Sequence, residues 1–209
     1  MCRALHESAG EIGAPLIGGD ISSTTGPATF TVTGLGTPGP RGSITRSGAR
    51  LGDAICVTGR LGGSLAGRHL EFTPRLEEAL ELVSACDVHA MIDLSDGLST
   101  DLLHIAEASG VGVRIEAGRV PVSHAAEEVA LSSGREPLWH ALNDGEDYEL
   151  LFTVSNTEAA ELAETGLLGV PVTRVRTVTE VGEGCILVRA DGTETELKSR
   201  GWEHFASDG

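Results

Sequence analysis

Two short acidic runs constrain this chain more than any other feature. The first is Ile92-Asp93-Leu94-Ser95-Asp96-Gly97-Leu98, and the second spans residues 143–152. Each run places carboxylates between an apolar stretch and a glycine, a pattern typical of a strand that ends in a tight turn. Carboxylates crowded in this way repel one another, and a bound cation is the usual compensation. Because oxygen ligands favour a hard cation such as Mg²⁺, the pattern indicates metal-assisted phosphate chemistry.

The charge of the chain narrows the classes of partner. Its 209 residues include 15 basic and 31 acidic side chains, which gives a net charge of −16. This charge disfavours nucleic acid and anionic membranes, because both require basic patches. The negative charge is nevertheless compatible with an anionic ligand that is held through bridging metal ions.

The four cysteines are far apart, and no apolar stretch reaches the length of a membrane span. We therefore expect a cytoplasmic protein with free thiols.

Hydrophobic periodicity predicts an α+β or mixed α/β fold. Helices are predicted at 3–13, after an N-cap at Thr73-Pro74, at 98–109 before Gly110, at 123–133, and from a capping box at Ser155 to about Gly166. Strands are predicted at 15–17, 29–35, 54–58, 90–94, 111–115, 149–154, 172–178, 185–190 and 193–197, with a hairpin turn at Asp191-Gly192. The loop at 36–42, rich in Gly and Pro, indicates a domain boundary.

The first acidic run places its polar residues at a predicted strand-to-helix corner. Asp93 and Ser95 share one face of the strand, and Asp96 falls where the helix begins. That helix would present unpaired N–H groups beside Asp96, which suits a phosphate held with a metal ion. The alternative is an N-cap aspartate with a solvated neighbour, which explains Asp96 but not Asp93.

The other candidate residues also have two interpretations. Gly18-Gly19-Asp20 either lets backbone N–H groups approach a phosphate or forms a plain turn. Glu146, beside the only tyrosine, suits either a polar substrate with ring nitrogens or a charged turn. Arg46 either faces a nucleotide or is a surface arginine, and Trp202 either packs a tail or stacks on a flat ring. The seven histidines show no metal-binding spacing, and we predict none of them as a ligand.

Taken together, these motifs resemble the thiamine-monophosphate kinase family, within the superfamily of aminoimidazole-ribonucleotide synthetase. The pair Asp-x-Ser-Asp-Gly-Leu and Gly-Glu-Asp-Tyr-Glu-Leu is specific to this kinase branch. The matching segments run in family order at 16–20, 46–53, 57–67, 92–98, 144–152 and 201–205.

The resemblance implies ATP-dependent phosphorylation of thiamine phosphate to thiamine diphosphate, with ATP and thiamine phosphate as the small-molecule partners. Mg²⁺ would neutralise charge on the transferred group, and positioning would supply most of the catalysis. The implied residues are Asp20, Asp93 and Asp96 for Mg²⁺, Gly19, Asp20, Arg46 and Ser95 for the nucleotide, and Glu146 and Trp202 for the substrate.

The resemblance also implies a two-domain, synthetase-like fold and a homodimer. Residues 1–45 would be the end of an N-terminal ATP-binding and dimerisation domain, and residues 46–209 the complete C-terminal α/β domain. The family's N-terminal part, which carries further metal-binding aspartates, looks to be missing. An impaired kinase is therefore weighed against an inactive fragment or subunit that binds nucleotide or thiamine phosphate, and against a superfamily member with another acceptor.

Overall fold

The computed structural model describes residues 2–39 and 41–199. The chain divides into two units, Met1–Ser43 and Ile44–Gly209. In the first unit, helix α1 (Cys2–Glu11) ends as predicted where Gly13 takes a positive φ of 69°. The strands predicted at 15–17 and 29–35 are wrong. Both segments are irregular and their side chains are exposed, and β-branched residues form a strand only where a neighbouring strand accepts their hydrogen bonds.

The described residues of the second unit form a mixed α/β structure around one seven-stranded sheet. The strands are β1 (Ala54–Thr58), β2 (Ala90–Asp93), β3 (Gly112–Glu116), β4 (Leu150–Val154), β5 (Val172–Thr179), β6 (Cys185–Val188) and β7 (Glu194–Glu196). Their spatial order is β2-β4-β1-β5-β3-β6-β7. Neighbouring strands are antiparallel except β3 and β6. The predicted fold class is thereby confirmed, as is the turn at Asp191-Gly192, where Arg189 N–H donates to Thr193 O.

Helices cover both faces of this sheet. They are α2 (Leu76–Ala85), α3 (Leu98–Ser109), α4 (His124–Ser133), α5 (Pro137–Asn143) and α6 (Asn156–Thr165). One hydrophobic cluster joins β1 and β4 to α3 and α5, and a second joins the same strands to α2 and α6. Every residue of β1 and β4 is buried, because alternate side chains enter opposite clusters. Among the helices that the structure describes, none combines the length and the apolar character that a membrane span requires.

Two helix starts differ in how well local sequence predicted them. The Ser155–Glu158 capping box of α6 is formed, with Glu158 N–H donating to Ser155 Oγ at 3.3 Å and Ser155 N–H donating to Glu158 Oε2 at 3.2 Å. The N-cap predicted at Thr73 is wrong, because α2 begins only after Arg75. Arg75 occupies the cap position while its Nε donates to Glu149 Oε2 at 2.8 Å, so a long-range ion pair sets this boundary.

Candidate functional site

The two acidic runs lie side by side at the end of edge strand β2. Backbone bonds join them: Leu94 N–H donates to Glu149 O, Tyr148 N–H to Leu94 O, and Glu146 N–H to Ser95 O, each at 2.8 Å. We call residues 93–97 and 144–149 the acidic corner. Its carboxylates therefore come from two segments that are about 50 residues apart in the chain but share one set of backbone bonds.

Glycines allow the two runs to approach this closely. Gly145 has φ 73°, and a Cβ there would lie 2.6 Å from Ser95 O. Gly97 has φ 99°, and a Cβ there would lie 2.9 Å from Leu142 O. Glu146 and Tyr148 also have positive φ, at 53° and 49°. Such backbone costs about 1–3 kcal/mol per residue and is concentrated at functional sites, so the corner holds these residues in a strained but fixed conformation.

Asp147 binds donors of the loop after β1. Its carboxylate accepts Gly62 N–H at 2.9 and 3.0 Å and Ser64 Oγ–H at 2.5 Å. Burial raises the pKa of Asp147 to about 6, although the bonds from Ser64 and Gly62 act in the opposite direction. The side chain is 1% exposed. Asp147 thus serves the packing of this loop, and its oxygens are already occupied.

Glu149 is also bound within the protein. It accepts Arg75 Nη2 at 2.9 Å and Thr58 Oγ1–H at 2.8 Å, and it pairs with Arg68. Burial alone would raise the pKa of Glu149, but the bonds from Arg75 and Thr58 outweigh it and hold the pKa below its usual value. Gly59 leaves the space that this carboxylate fills. Glu149 is therefore the anchor of the segment that leads into α2.

Asp144 ends a hydroxyl–imidazole–carboxylate chain that the order of residues did not reveal. Ser133 Oγ lies 2.7 Å from His140 Nε2, and His140 Nδ1 lies 2.8 Å from Asp144 Oδ1. Asp144 also accepts Gly63 N–H at 2.9 Å. A cavity of about 700 Å³ beside α5 is lined by neither Ser133 nor His140. We therefore assign a structural function to the Ser133–His140–Asp144 hydrogen-bond network. It joins α4 and α5 to the acidic corner.

Within the part of the chain that the structure describes, Asp93, Asp96 and Glu146 accept none of the backbone and arginine donors that bind the other acids, and only the Tyr148 hydroxyl bonds to Glu146. Among the residues that the structure describes, no ion pair involves Asp93, Asp96 or Glu146. Asp93 is exposed, whereas Asp96 and Glu146 are half-buried. The Tyr148 ring stacks on Phe72 with a centroid distance of 4.0 Å. Burial raises the pKa of Tyr148, and so do the charges of Glu146 and Asp93. The phenol therefore lies where the two runs meet.

A further carboxylate beside the corner, Asp101, was not predicted from the sequence. It lies in the first turn of α3 and is 1% exposed. Asp96 N–H donates to Asp101 Oδ2 at 3.1 Å. Burial and the charges of Asp96 and Asp93 raise the pKa of Asp101 to about 7, although the backbone hydrogen bonds from Asp96 and Ser95 act in the opposite direction. The sequence did contain a signal for Asp101, because an acid in the first turn of a helix is typical of a helix N-terminus, and this acid lies five residues after Asp96.

The remaining predicted residues belong to other parts of the chain. Gly19 and Asp20 are exposed residues of the first unit. The Arg46 carbonyl accepts Ser109 Oγ–H at 3.4 Å. That contact lies at the far end of α3, roughly 18 Å from its start. Trp202 lies outside the described residues. The functions expected for these four residues, and the domain assigned to residues 1–45, stay predictions.

Comparison with known proteins defines first the class of fold and then the family. Residues 36–188 match the family model described as AIR synthase related protein, C-terminal domain. Thiamine-monophosphate kinase of Rhodopirellula baltica is 48% identical over 174 residues, which are 83% of this chain and 54% of the relative. The Bacillus subtilis thiamine-monophosphate kinase is 32% identical, over 97% of this chain and 69% of the relative. The chain therefore belongs to the thiamine-monophosphate kinase family of AIR synthase-related proteins.

A solved structure shows the same fold. AaThiL complexed with AMPPCP and TMP aligns with a TM-score of 0.58 at 31% identity, covering 78% of this chain and 54% of that one. The chain spans about half the length of this protein and of the Rhodopirellula relative. The resemblance seen in the two acidic runs is thereby confirmed at the level of family and fold.

Proposed function

We propose that the protein takes part in the ATP-dependent phosphorylation of thiamine phosphate to thiamine diphosphate, as a thiamine-monophosphate kinase. The observation that carries this proposal is the division of the carboxylates in the acidic corner. Asp144, Asp147 and Glu149 are engaged with protein donors, whereas Asp93 and Asp96 keep their oxygens for ligands. The complex of AaThiL with AMPPCP and TMP supports a nucleotide and a thiamine phosphate as the ligands.

The carboxylate oxygens of the acidic corner are suitable ligands for Mg²⁺. Asp93 and Asp96 supply oxygen ligands only, without a paired cation in the described part of the chain, and hard cations prefer such ligands. We assign both residues to Mg²⁺, with Asp20 as a further ligand on the basis of the family resemblance. When bound, the ion would neutralise charge on the transferred phosphoryl group.

The start of α3 suits the phosphates of the nucleotide. Gly97 at its N-cap offers no side-chain acceptor, so the N–H groups of the first turn have no side chain capping them. These groups and the helix dipole attract anions. Ser95, one residue before Asp96, is assigned to the nucleotide, as are Gly19, Asp20 and Arg46 by resemblance.

The acceptor is assigned to the second run. Glu146 is half-buried, and its carboxylate suits the amine and ring nitrogens of thiamine. Trp202 would stack on a thiamine ring, again by resemblance. In the reaction, an oxygen of the thiamine phosphate forms a bond to the γ-phosphorus of ATP, and the bridging bond to the β-phosphate breaks, which releases ADP. The N–H groups at the start of α3 would orient these phosphates and offset part of their repulsion.

A turnover assay with ATP, thiamine phosphate and Mg²⁺ tests the proposal. We expect thiamine diphosphate to form, and we expect Asp96→Asn to lower the rate roughly 100-fold. Asp191→Asn, which changes an exposed aspartate in the β6–β7 turn, is the matched control and should keep the rate. Equal rates in wild type and Asp96→Asn would refute the metal assignment. Binding of both ligands without turnover would mean that the protein is a binding module and not a kinase. Protection from heat denaturation by ATP but not by thiamine phosphate would indicate that the kinase uses another acceptor.

A further inference from the structure

Three potential metal ligands gather at the start of α3. One carboxylate oxygen of Asp96, one of Asp101 and a ring nitrogen of His104 lie within 4.8 Å of one another. Asp101 and His104 are spaced i, i+3, so their side chains share one face of the helix. Two ligands that each lie about 2.0–2.2 Å from the same ion are at most about 4.4 Å apart. Small side-chain rotations therefore bring all three groups into coordination distance.

Asp101 supplies an independent sign of a missing partner. Its side chain is 1% exposed, and Oδ1 has no hydrogen-bond donor among the described residues. The other oxygen, Oδ2, accepts Asp96 N–H, which fixes the orientation of the carboxylate. A buried carboxylate oxygen without a donor is unfavourable, because it has lost its hydration and gained no hydrogen bond in return. A cation beside Oδ1 would remove this cost.

His104 is also available as a ligand. The ring is half-buried, and within residues 2–39 and 41–199 it makes no hydrogen bond or ion pair. In contrast, His140 and His89 each bond through their ring nitrogens to carboxylates of the protein. His104 therefore offers a ring nitrogen that no group of the described residues occupies.

We propose that Asp96, Asp101 and His104 bind a divalent first-row transition ion such as Mn²⁺ or Zn²⁺. One imidazole with two carboxylates suits Zn²⁺, and Mn²⁺ accepts the imidazole beside its oxygen ligands, whereas Mg²⁺ prefers oxygen ligands alone. The position is distinct from the one assigned to Mg²⁺, because it uses Asp101 and His104 in place of Asp93 and shares only Asp96. The inference does not require the proposed kinase activity, since binding of the ion needs no nucleotide.

Electron paramagnetic resonance of Mn²⁺ tests this site on the full chain after treatment with a chelator. Mn²⁺ is titrated in excess Mg²⁺, so that positions with oxygen ligands only are filled by Mg²⁺. We expect one Mn²⁺ to stay bound to the wild type and His104→Ala to weaken this binding at least about tenfold. His124→Ala removes an exposed histidine whose side chain is 82% accessible, and it should bind Mn²⁺ as the wild type does.

Two further variants separate this site from the kinase proposal and from loss of fold. Asp93→Asn should lower turnover but keep Mn²⁺ binding, which tests the two positions separately. Asp101→Asn should lose Mn²⁺ while its circular dichroism stays that of the wild type. If Asp101→Asn unfolds, His104→Ala alone decides the question. Complete displacement of Mn²⁺ by Mg²⁺, or equal Mn²⁺ affinity in His104→Ala and wild type, would overturn the proposal.

Discussion

At the scale of the residue, the carboxylates of the acidic corner differ by what surrounds them and not by their chemistry. Asp147 and Glu149 are both 1% exposed. Burial raises the pKa of Asp147, whereas two arginines and a threonine reverse that effect for Glu149. Neighbouring acids in one motif therefore have opposite effects on stability as the pH changes, because only one of them has a cationic partner in direct contact.

Asp147 predicts a pH dependence of stability. Its folded-state pKa of about 6 exceeds the ordinary value of 3.8, so between these values the folded state holds a proton that the unfolded chain has released. The contribution of Asp147 to the free energy of unfolding should therefore fall by about 2–3 kcal/mol as the pH rises from about 4 to 6. Urea unfolding across this pH range should show that the free energy of unfolding declines less in Asp147→Asn than in the wild type. The exposed Glu77→Gln should follow the wild type, and identical slopes in all three proteins would contradict the assignment.

Removal of Glu149 should be far more costly than removal of an exposed acid. Glu149→Ala removes the acceptor of the buried Thr58 hydroxyl and of two nitrogens of Arg75, whose side chain is 20% exposed and keeps only its pair with Glu78. We expect a loss of about 3–5 kcal/mol in the free energy of unfolding. Glu194→Ala breaks the pair with Arg114, in which Glu194 is 50% exposed, and should cost less than about 1 kcal/mol. Denaturant unfolding measures both, and similar losses would mean that Glu149 is not the anchor of this segment.

The sequence could predict part of this corner. The positions of Asp93 and Asp96 at a strand-to-helix junction followed from apolar alternation and Gly97. The division among Asp144, Asp147, Glu149 and Glu146 could not be predicted, because the donors that bind these acids are far away in the chain. Arg75, for example, is 74 residues from Glu149. Which acid faces a ligand is thus decided by tertiary contacts.

At the scale of the element, local signals predicted the structure wherever the partner was local. The capping box of α6 and the glycine ends of α3 and α6 lie within one or two turns of their helices, and these were predicted. The strand expected at 29–35 had the composition of a strand but no described neighbour to pair with. Helix α5 was missed because it is only seven residues long, although Pro137 at its first turn was a usable signal.

The capping box gives a prediction for α6. Ser155→Ala removes the acceptor for Glu158 N–H, so we expect the free energy of unfolding to fall by about 1 kcal/mol. Thermal unfolding followed by circular dichroism measures the change. Ser132→Ala, in the exposed last turn of α4, is the matched control and should change stability by less than about 0.5 kcal/mol. An equal effect of both substitutions would show that the box contributes nothing to α6.

At the scale of the whole molecule, the two units differ in what they bury. In residues 2–39 and 41–199, both hydrophobic clusters and all seven strands consist of residues from 44 onward. The first unit instead exposes large apolar side chains, among them Ile17 at 81%, Ile21 at 80% and Leu35 at 82%. Exposed apolar surface of this kind is typical of interaction sites or of segments that associate. Folding and association should therefore be separable properties of this chain.

Deletion of residues 1–43 tests that separation. We expect residues 44–209 to unfold in one cooperative transition with the urea midpoint of the full chain, because the sheet and both clusters are retained. The full chain should associate more strongly, since it carries the exposed side chains of the first unit. Light scattering after size exclusion, across a range of protein concentrations, measures the association of both proteins. A lower midpoint for the shortened chain would mean that the first unit stabilises the sheet, and equal association would mean that the contact surface lies after residue 43.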